Sequence, residues 1–301
     1  MRQLVFIINR PVTEGWHLGM LRCAAHSVRL SNPDVTTTLL TDDTSADFES
    51  KPHHAGLFDR VIRVGPGPFD HEGPVARNRW IKTRIPDWVD GPFLYVDNDT
   101  VVLRSLGPLW RIKAPVALAP DCSQVASGHP KYDWLVRTFH ECGWRFPTRH
   151  YLNGGVVFCS GSDPAKRAFA EWHRRWLQTR KRGFDLDQPA LNSLWEEPEF
   201  APLVLGREWN AMVETDERWI KGARIVHFAC SHTVMREYVI DELAAAAARG
   251  EEIVDRMREL IRTRYIWKDG THVRRHLRCG NWMTAVRIWL RKRGQGLRLS
   301  R

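Results

Sequence analysis

The chain has 301 residues, 43% hydrophobic content and a formal net charge of +10. This suffices for a full core in one large domain or in one domain plus an appendage, and no stretch approaches the ~18 consecutive apolar residues of a membrane-spanning helix. The basicity is local: Arg256 to Arg301 holds fourteen Lys/Arg against Glu259 and Asp269, while the preceding 255 residues carry 31 basic and 33 acidic side chains. A near-neutral body lacks the basic groove of a nucleic-acid binder.

Gln3 to Asn9 reads as a buried first strand; its apolar run, stopped by Asn9-Arg10-Pro11, is too short for a signal-peptide core. Gly15 to Leu30 predicts a helix with Leu18, Leu21, Ala25 and Val28 on one stripe. Val35 to Leu40 is a second strand and Asp59 to Val64 a third, ahead of the Gly65-Pro66-Gly67-Pro68 breaker. A helix over Val75 to Ile85 stops at Pro86, and the strand from Phe93 follows. Pro115 to Ala119 and Gly154 to Cys159 are further strands. Ser162-Asp163-Pro164 starts a helix in which Ala165, Phe169, Trp172 and Trp176 recur at core spacing. A short helix over Asp187 to Trp195 and a late strand over Arg224 to Ala229 complete the pattern. Strands alternating with helices predict an α/β fold with a mainly parallel sheet. From Glu237 the strand signal ends; the segment to Ile266 and Trp282 to Lys292 read as helices. The six cysteines are scattered with no C-x-x-C pair, which fits a reducing cytoplasm.

The most informative stretch is Phe93-Leu94-Tyr95-Val96-Asp97-Asn98-Asp99-Thr100-Val101-Val102. A strand that ends in two carboxylates places repelling charges side by side unless a cation lies between them. Oxygen ligands of this type suit Mg²⁺ or Mn²⁺, and open α/β sheets put their sites outside the carboxyl ends of strands. Three later stretches extend the set. Tyr151-Leu152-Asn153-Gly154-Gly155 puts an amide and two glycines at a strand mouth. Asp187-Gln188-Pro189-Ala190-Leu191-Asn192 puts an acid and amides at a helix start, and Ile225-Val226-His227 ends a strand in an imidazole suited to Mn²⁺.

With these four motifs in this order, residues 1–235 resemble the GT-A superfamily of nucleotide-sugar glycosyltransferases, and glycosyltransferase family 8 in particular. The resemblance implies a Rossmann-like GT-A catalytic domain over 1–235 and leaves 236–301 as a helical basic extension. It implies a Mn²⁺- or Mg²⁺-dependent hexosyl transfer from a nucleotide sugar, UDP-linked, to a glycan or lipid-linked acceptor in cell-surface polysaccharide synthesis, with retention of configuration. By the same resemblance Asp97, Asp99 and His227 hold the metal, and Asn153, Asp187 and Gln188 line the donor sugar and reacting face. Lys82, with Arg79 and Arg84 nearby, contacts the donor; Asn9 to Thr13, Asn98, Gly154 and Asn192 complete the donor site. One departure stands out: the family follows its metal histidine with Gly and then Lys-Pro-Trp, whereas here Phe228-Ala229-Cys230-Ser231-His232 follows, so His232 or Arg236 is expected to replace that diphosphate grip.

The alternative is a phosphatase of the haloacid dehalogenase type with Asp97 as nucleophile, since Asp97-Asn98-Asp99-Thr100-Val101 also fits its D-x-D-x-[TV] signature; that family carries its acids after the first strand. A dinucleotide oxidoreductase lacks its G-x-G-x-x-G. Trp172 and Trp176 are expected in the core and Trp209 at the acceptor. The His53-His54 pair is expected on a surface loop, and Asp42 and Asp43 either at the nucleoside or in a solvated turn. In the tail, Trp282, Val286, Trp289 and Leu290 share one helical face with Arg287, Arg291, Lys292 and Arg293 around it, the pattern either of an interfacial helix on an anionic membrane or of a helix packed on the catalytic body with a solvated polar face. The chain is therefore expected in the cytoplasm, and on the first reading of the tail peripheral to the inner face of the membrane.

Overall fold

The computed structural model describes residues 1–9, 15–42, 56–121, 133–147, 150–195, 197–213, 219–229 and 235–299. The expected strands and helices form within a few residues of their sequence bounds: β1 (Gln3–Ile8), α1 (Gly15–Ser31), β2 (Thr36–Thr41), β3 (Arg60–Arg63), α2 (Pro74–Lys82), β4 (Phe93–Val96), β5 (Thr100–Val102) and β6 (Val116–Pro120). After α3 (Asp133–Glu141) come β7 (Leu152–Cys159), α4 (Asp163–Arg180), α5 (Gln188–Leu194), β8 (Leu203–Val204), β9 (Ala211–Met212) and β10 (Ile225–His227). The extension holds α6 (Val239–Ala248), α7 (Val254–Thr263), α8 (Val273–Arg278) and α9 (Trp282–Leu299). Its first segment is thus two helices rather than one, because Gly250 at φ 81° turns the chain between them. Sequence periodicity also misses α3, which is only nine residues long, and the two-residue strands β8 and β9.

The main sheet runs β3-β2-β1-β4-β7-β6-β8. The pairs β1–β2, β1–β4, β2–β3 and β6–β8 are parallel, while β7 lies antiparallel to both β4 and β6. Side chains alternate between faces, so Leu4, Phe6 and Ile8 of β1 join one core, packed with Leu21, Ala25 and Val28 of α1. Val5 and Ile7 join the other, under Ile81, Phe169, Trp172 and Leu191. Both faces are covered, which is why β1 reads as an unbroken apolar run. Trp172 and Trp176 are buried in that second core, as expected from their spacing.

A second sheet, β5-β10-β9, branches off where the chain leaves β4. In it β10 pairs antiparallel to β5, with His227 opposite Thr100. This small sheet shares a third core with α1, α6 and α7. Gly19 makes the α1–α6 contact close: a Cβ there would stand 2.0 Å from the Ala244 carbonyl oxygen. Among the described residues no helix is long and apolar enough to cross a membrane.

Candidate active site

Four strands of the main sheet bring polar ends to one edge. In sheet order, β1 leads to Asn9, β4 to Asp97, β7 begins near Asn153 and β6 leads to Asp121. Strands lie about 4.8 Å apart, so this row spans ~14 Å. A cavity of about 670 Å³ lies over it, lined by Asn9, Lys82, Asp97, Asp121, Gln188 and His227 among others. This size and mixed polarity are those of a small-molecule site.

The metal candidates converge in three dimensions although His227 lies 128 positions after Asp99. One ligand atom each from Asp97, Asp99 and His227 can be chosen so that all lie within 4.8 Å of one another. His227 Nε2 lies 3.1 Å from Asp99 Oδ1 and 4.0 Å from Asp97 Oδ2. Nδ1 of His227 meets Asn210 Oδ1 at 2.8 Å, which turns Nε2 toward the acids. Burial opposes charge on His227, but the Asp99 and Asp97 carboxylates outweigh it and raise its pKa. Burial likewise opposes ionisation of Asp99, and His227 outweighs it, so that acid titrates below its ordinary value. Gly155 lets β7 pass close by: a Cβ there would stand 2.5 Å from Asp97 Oδ2 and 2.5 Å from His227 Cε1. Two carboxylates, an oriented imidazole and a cradle that a single methyl would fill fit a hard or borderline divalent cation such as Mn²⁺ or Mg²⁺.

Around this cluster lie two networks. In the first, Lys82 Nζ is 3.5 Å from both Asp97 Oδ1 and Asp187 Oδ2, and Arg79 Nε is 3.3 Å from Asp187 Oδ1. Burial would lower the Lys82 pKa, but Asp187 and Asp97 outweigh it and raise it. Asp187 sits at the N-cap of α5 yet makes no capping hydrogen bond, so its carboxylate faces these cations and the cavity. The Tyr95 hydroxyl donates to Asp97 Oδ1, and burial holds its pKa well above the ordinary range. In the second network, Gln188 Nε2 donates to Asp121 Oδ2 at 2.6 Å and Asn153 Nδ2 to the same oxygen at 3.1 Å. Asn153 Oδ1 accepts from the Gly155 amide at 2.7 Å.

Of the positions expected from sequence, Asn9, Lys82, Asp97, Asn98, Asp99, Asn153, Asp187, Gln188 and His227 all line the cavity. Two expected donor-site positions do not. The Asn192 amide is taken up by backbone, accepting from the Leu152 N–H at 2.6 Å and donating to the Leu152 and Gln188 carbonyls. Gly154 donates its N–H to Gln188 Oε1 but does not border the cavity; Gly155 is the glycine in close approach. Trp209 is buried in the core under Arg224, away from the cavity. Asp42 pairs with Arg77 at 3.4 Å. Arg236 is exposed and outside the cavity wall; Arg10 to Thr13, Asp43, His53, His54 and His232 lie outside the described residues. Sequence reasoning missed Asp121, Asn210 and Tyr151. For Asp121 a signal existed, since Ala117-Leu118-Ala119-Pro120-Asp121 is another apolar strand ending in an acid.

No protein-family model and no curated protein sequence matches the chain. Solved structures do. Galactosyltransferase LgtC, in complex with donor and acceptor sugar analogs, aligns with a TM-score of 0.54 at 17% identity over 81% of this chain and 95% of that one. Mouse xyloside xylosyltransferase 1 aligns with a TM-score of 0.53 at 13% identity, over 76% of this chain and 98% of that one. Glycosyltransferase GlyE of Streptococcus pneumoniae TIGR4 aligns with a TM-score of 0.55 at 15% identity, over 89% and 66%. Another match is a glutamine-to-glutamate active-site mutant of LgtC. The chain therefore has the GT-A fold of these glycosyltransferases.

Proposed function

We propose that this protein is a metal-dependent glycosyltransferase that moves a hexosyl group from a UDP-sugar to a glycan or lipid-linked acceptor with retention of configuration. The observation that carries the reading is the convergence of Asp97, Asp99 and His227 on a cavity that an acid–amide network also lines. Bound by those three side chains, a divalent cation supplies Lewis-acid stabilisation to a leaving diphosphate. In this reading residues 1–235 carry the chemistry, and 236–301 form the helical extension.

In this reading the remaining roles follow the row of strand ends. Asn9 and Asn98, held on the Pro74 and Ile7 carbonyls, border the nucleoside end. Lys82 adds fixed positive charge beside Asp97, where charge grows on the leaving oxygens, and Arg79 adds a second cation beside Asp187. Asn153, Asp187 and Gln188 lie at the sugar end with Asp121. The Asp187 carboxylate stabilises positive charge developing on the sugar ring, as carboxylates do in glycosidases. Gln188 is fixed by its bond to Asp121, and LgtC has a glutamine whose replacement defines an active-site mutant. The phosphatase reading, with Asp97 as nucleophile, draws no support from the fold.

Thermal shift with a panel of nucleotide sugars, with and without Mn²⁺, tests the proposal. At a hundredfold excess over Kd a ligand stabilises by ~2.7 kcal/mol, about 4 °C for a chain of this size. UDP compounds should give this shift only with metal, and Asp99→Ala should abolish it. An equal shift in the variant refutes the metal-dependent donor site. The product anomer by NMR tests retention, and an inverted product refutes it.

A further inference from the structure

Alternation along β4 puts Phe93 and Tyr95 in the second core and Leu94 and Val96 in the first. The pairing with β7 runs one residue past the strand, since the Asp97 N–H donates to the Gly155 carbonyl at 2.8 Å. Asp97 therefore leaves the backbone on the side of Tyr95. The Tyr95 ring is 3% exposed and packed in the core, with Lys82 Nζ 5.1 Å from its centroid. Its hydroxyl reaches the edge of the cavity and donates to Asp97 Oδ1.

That bond divides the carboxylate. Oδ1 is taken by the Tyr95 hydroxyl and by Lys82 Nζ at 3.5 Å, and the lysine is itself split between Asp97 and Asp187. Oδ2 lies 4.0 Å from His227 Nε2 and faces Gly155, where a Cβ would stand 2.5 Å from it. One oxygen of Asp97 is thus turned toward the imidazole and the other is held back. A hydroxyl suits this duty, because it fixes a carboxylate without cancelling the charge a metal needs. We propose that Tyr95 is a positioning residue whose hydroxyl keeps Asp97 a one-oxygen ligand through Oδ2, and so tunes the site to Mn²⁺ or Mg²⁺ against Ca²⁺. Ca²⁺ takes about 6–8 oxygens and accepts both oxygens of one carboxylate, whereas Mg²⁺ and Mn²⁺ favour octahedral sites. The inference rests on the reading of Asp97, Asp99 and His227 as metal ligands.

Packing explains the ring, and Tyr95→Phe separates the two duties, since it keeps the ring and removes only the donor. Mn²⁺ uptake by the full chain with UDP present, followed by the EPR signal of the free ion and reversed with Ca²⁺, reads both affinities. The wild type should take up Mn²⁺ and prefer it to Ca²⁺. Tyr95→Phe should bind Mn²⁺ about 10- to 100-fold more weakly, the scale on which partners of metal ligands act. Ca²⁺ should bind the variant about as well as the wild type, because the freed Oδ1 can join Oδ2 on the larger ion. The preference for Mn²⁺ should therefore fall about tenfold or more. This ratio is set by the folded fraction alone, so a modest loss of stability in the variant does not alter it. Equal losses for both ions overturn the proposal, since a site that is merely loosened weakens them alike, and so does an unchanged Mn²⁺ affinity. A wild type that takes up no Mn²⁺ refutes instead the metal reading on which the proposal rests.

Discussion

Replacing Gly155 with alanine puts the ligand geometry under direct strain. A Cβ at this position would stand 2.5 Å from Asp97 Oδ2, 2.5 Å from His227 Cε1 and 2.9 Å from Asn153 Oδ1. Ordinary contact begins at 3.4 Å, so the carboxylate and the imidazole would have to retreat by about 0.9 Å. Metal–ligand distances tolerate only about 0.2 Å, so the two cannot both keep their places on one ion. The adjacent glycine supplies the control, because a Cβ on Gly154 would meet Lys82 Nζ at 3.4 Å and Leu191 Cδ2 at 3.5 Å. Calorimetric titration of Mn²⁺ in the presence of UDP should show at least a 10- to 100-fold loss of affinity in Gly155→Ala, the scale on which misoriented ligands fail. Overpacking should also cost about 1–3 kcal/mol of stability by urea unfolding. Gly154→Ala should stay within about threefold of wild type. If Gly155→Ala binds the metal normally, or Gly154→Ala loses as much, then Asp97 and His227 do not share an ion.

Removing the Asn210 amide with Asn210→Leu should weaken Mn²⁺ binding by about 10- to 100-fold, because the His227 ring loses the partner that orients it; unchanged affinity would show that the ring is held by packing alone. Asn192→Ala should lower stability by about 2–3 kcal/mol in urea, since it strands the buried Leu152 N–H and carbonyl. Donor KM in that variant should change little, and a selective rise in KM would restore Asn192 to the donor site. Burial, aided by Arg84, depresses His173 from 6.5 to about 4 in the folded state. Its folded pKa lies below the unfolded one, so its contribution is complete above pH 6.5 and disappears as pH falls toward about 4. Discounted for a partly exposed ring, this is about 1–2 kcal/mol. His173→Gln should flatten that part of the stability profile, and an unaltered slope between pH 6.5 and 4 would refute the assignment.

Much of the fold was legible in the chain because burial on both faces writes itself as unbroken apolar runs. Leu4 to Ile8 and Phe93 to Val96 could be placed as strands without coordinates. Helices with a strong stripe, such as the one carrying Phe169, Trp172 and Trp176, were equally readable. Where the pattern was short or diluted it failed, as at α3 and at β8 and β9.

The site divides along the same line. Residue type and strand-end position drew attention to Asp97, Asp99 and His227, and the order of the four motifs, through the family resemblance, gave them a common ligand role. Local sequence could not say that His227 lies across from Thr100, since that register comes from the antiparallel pairing of β10 with β5. Nor could it separate Asn192, bound to backbone, from Asn153, open to the cavity, because the same amide serves either end according to what the fold puts beside it. Chemistry follows from which atoms a chain carries; their roles follow from which neighbours tertiary packing leaves them.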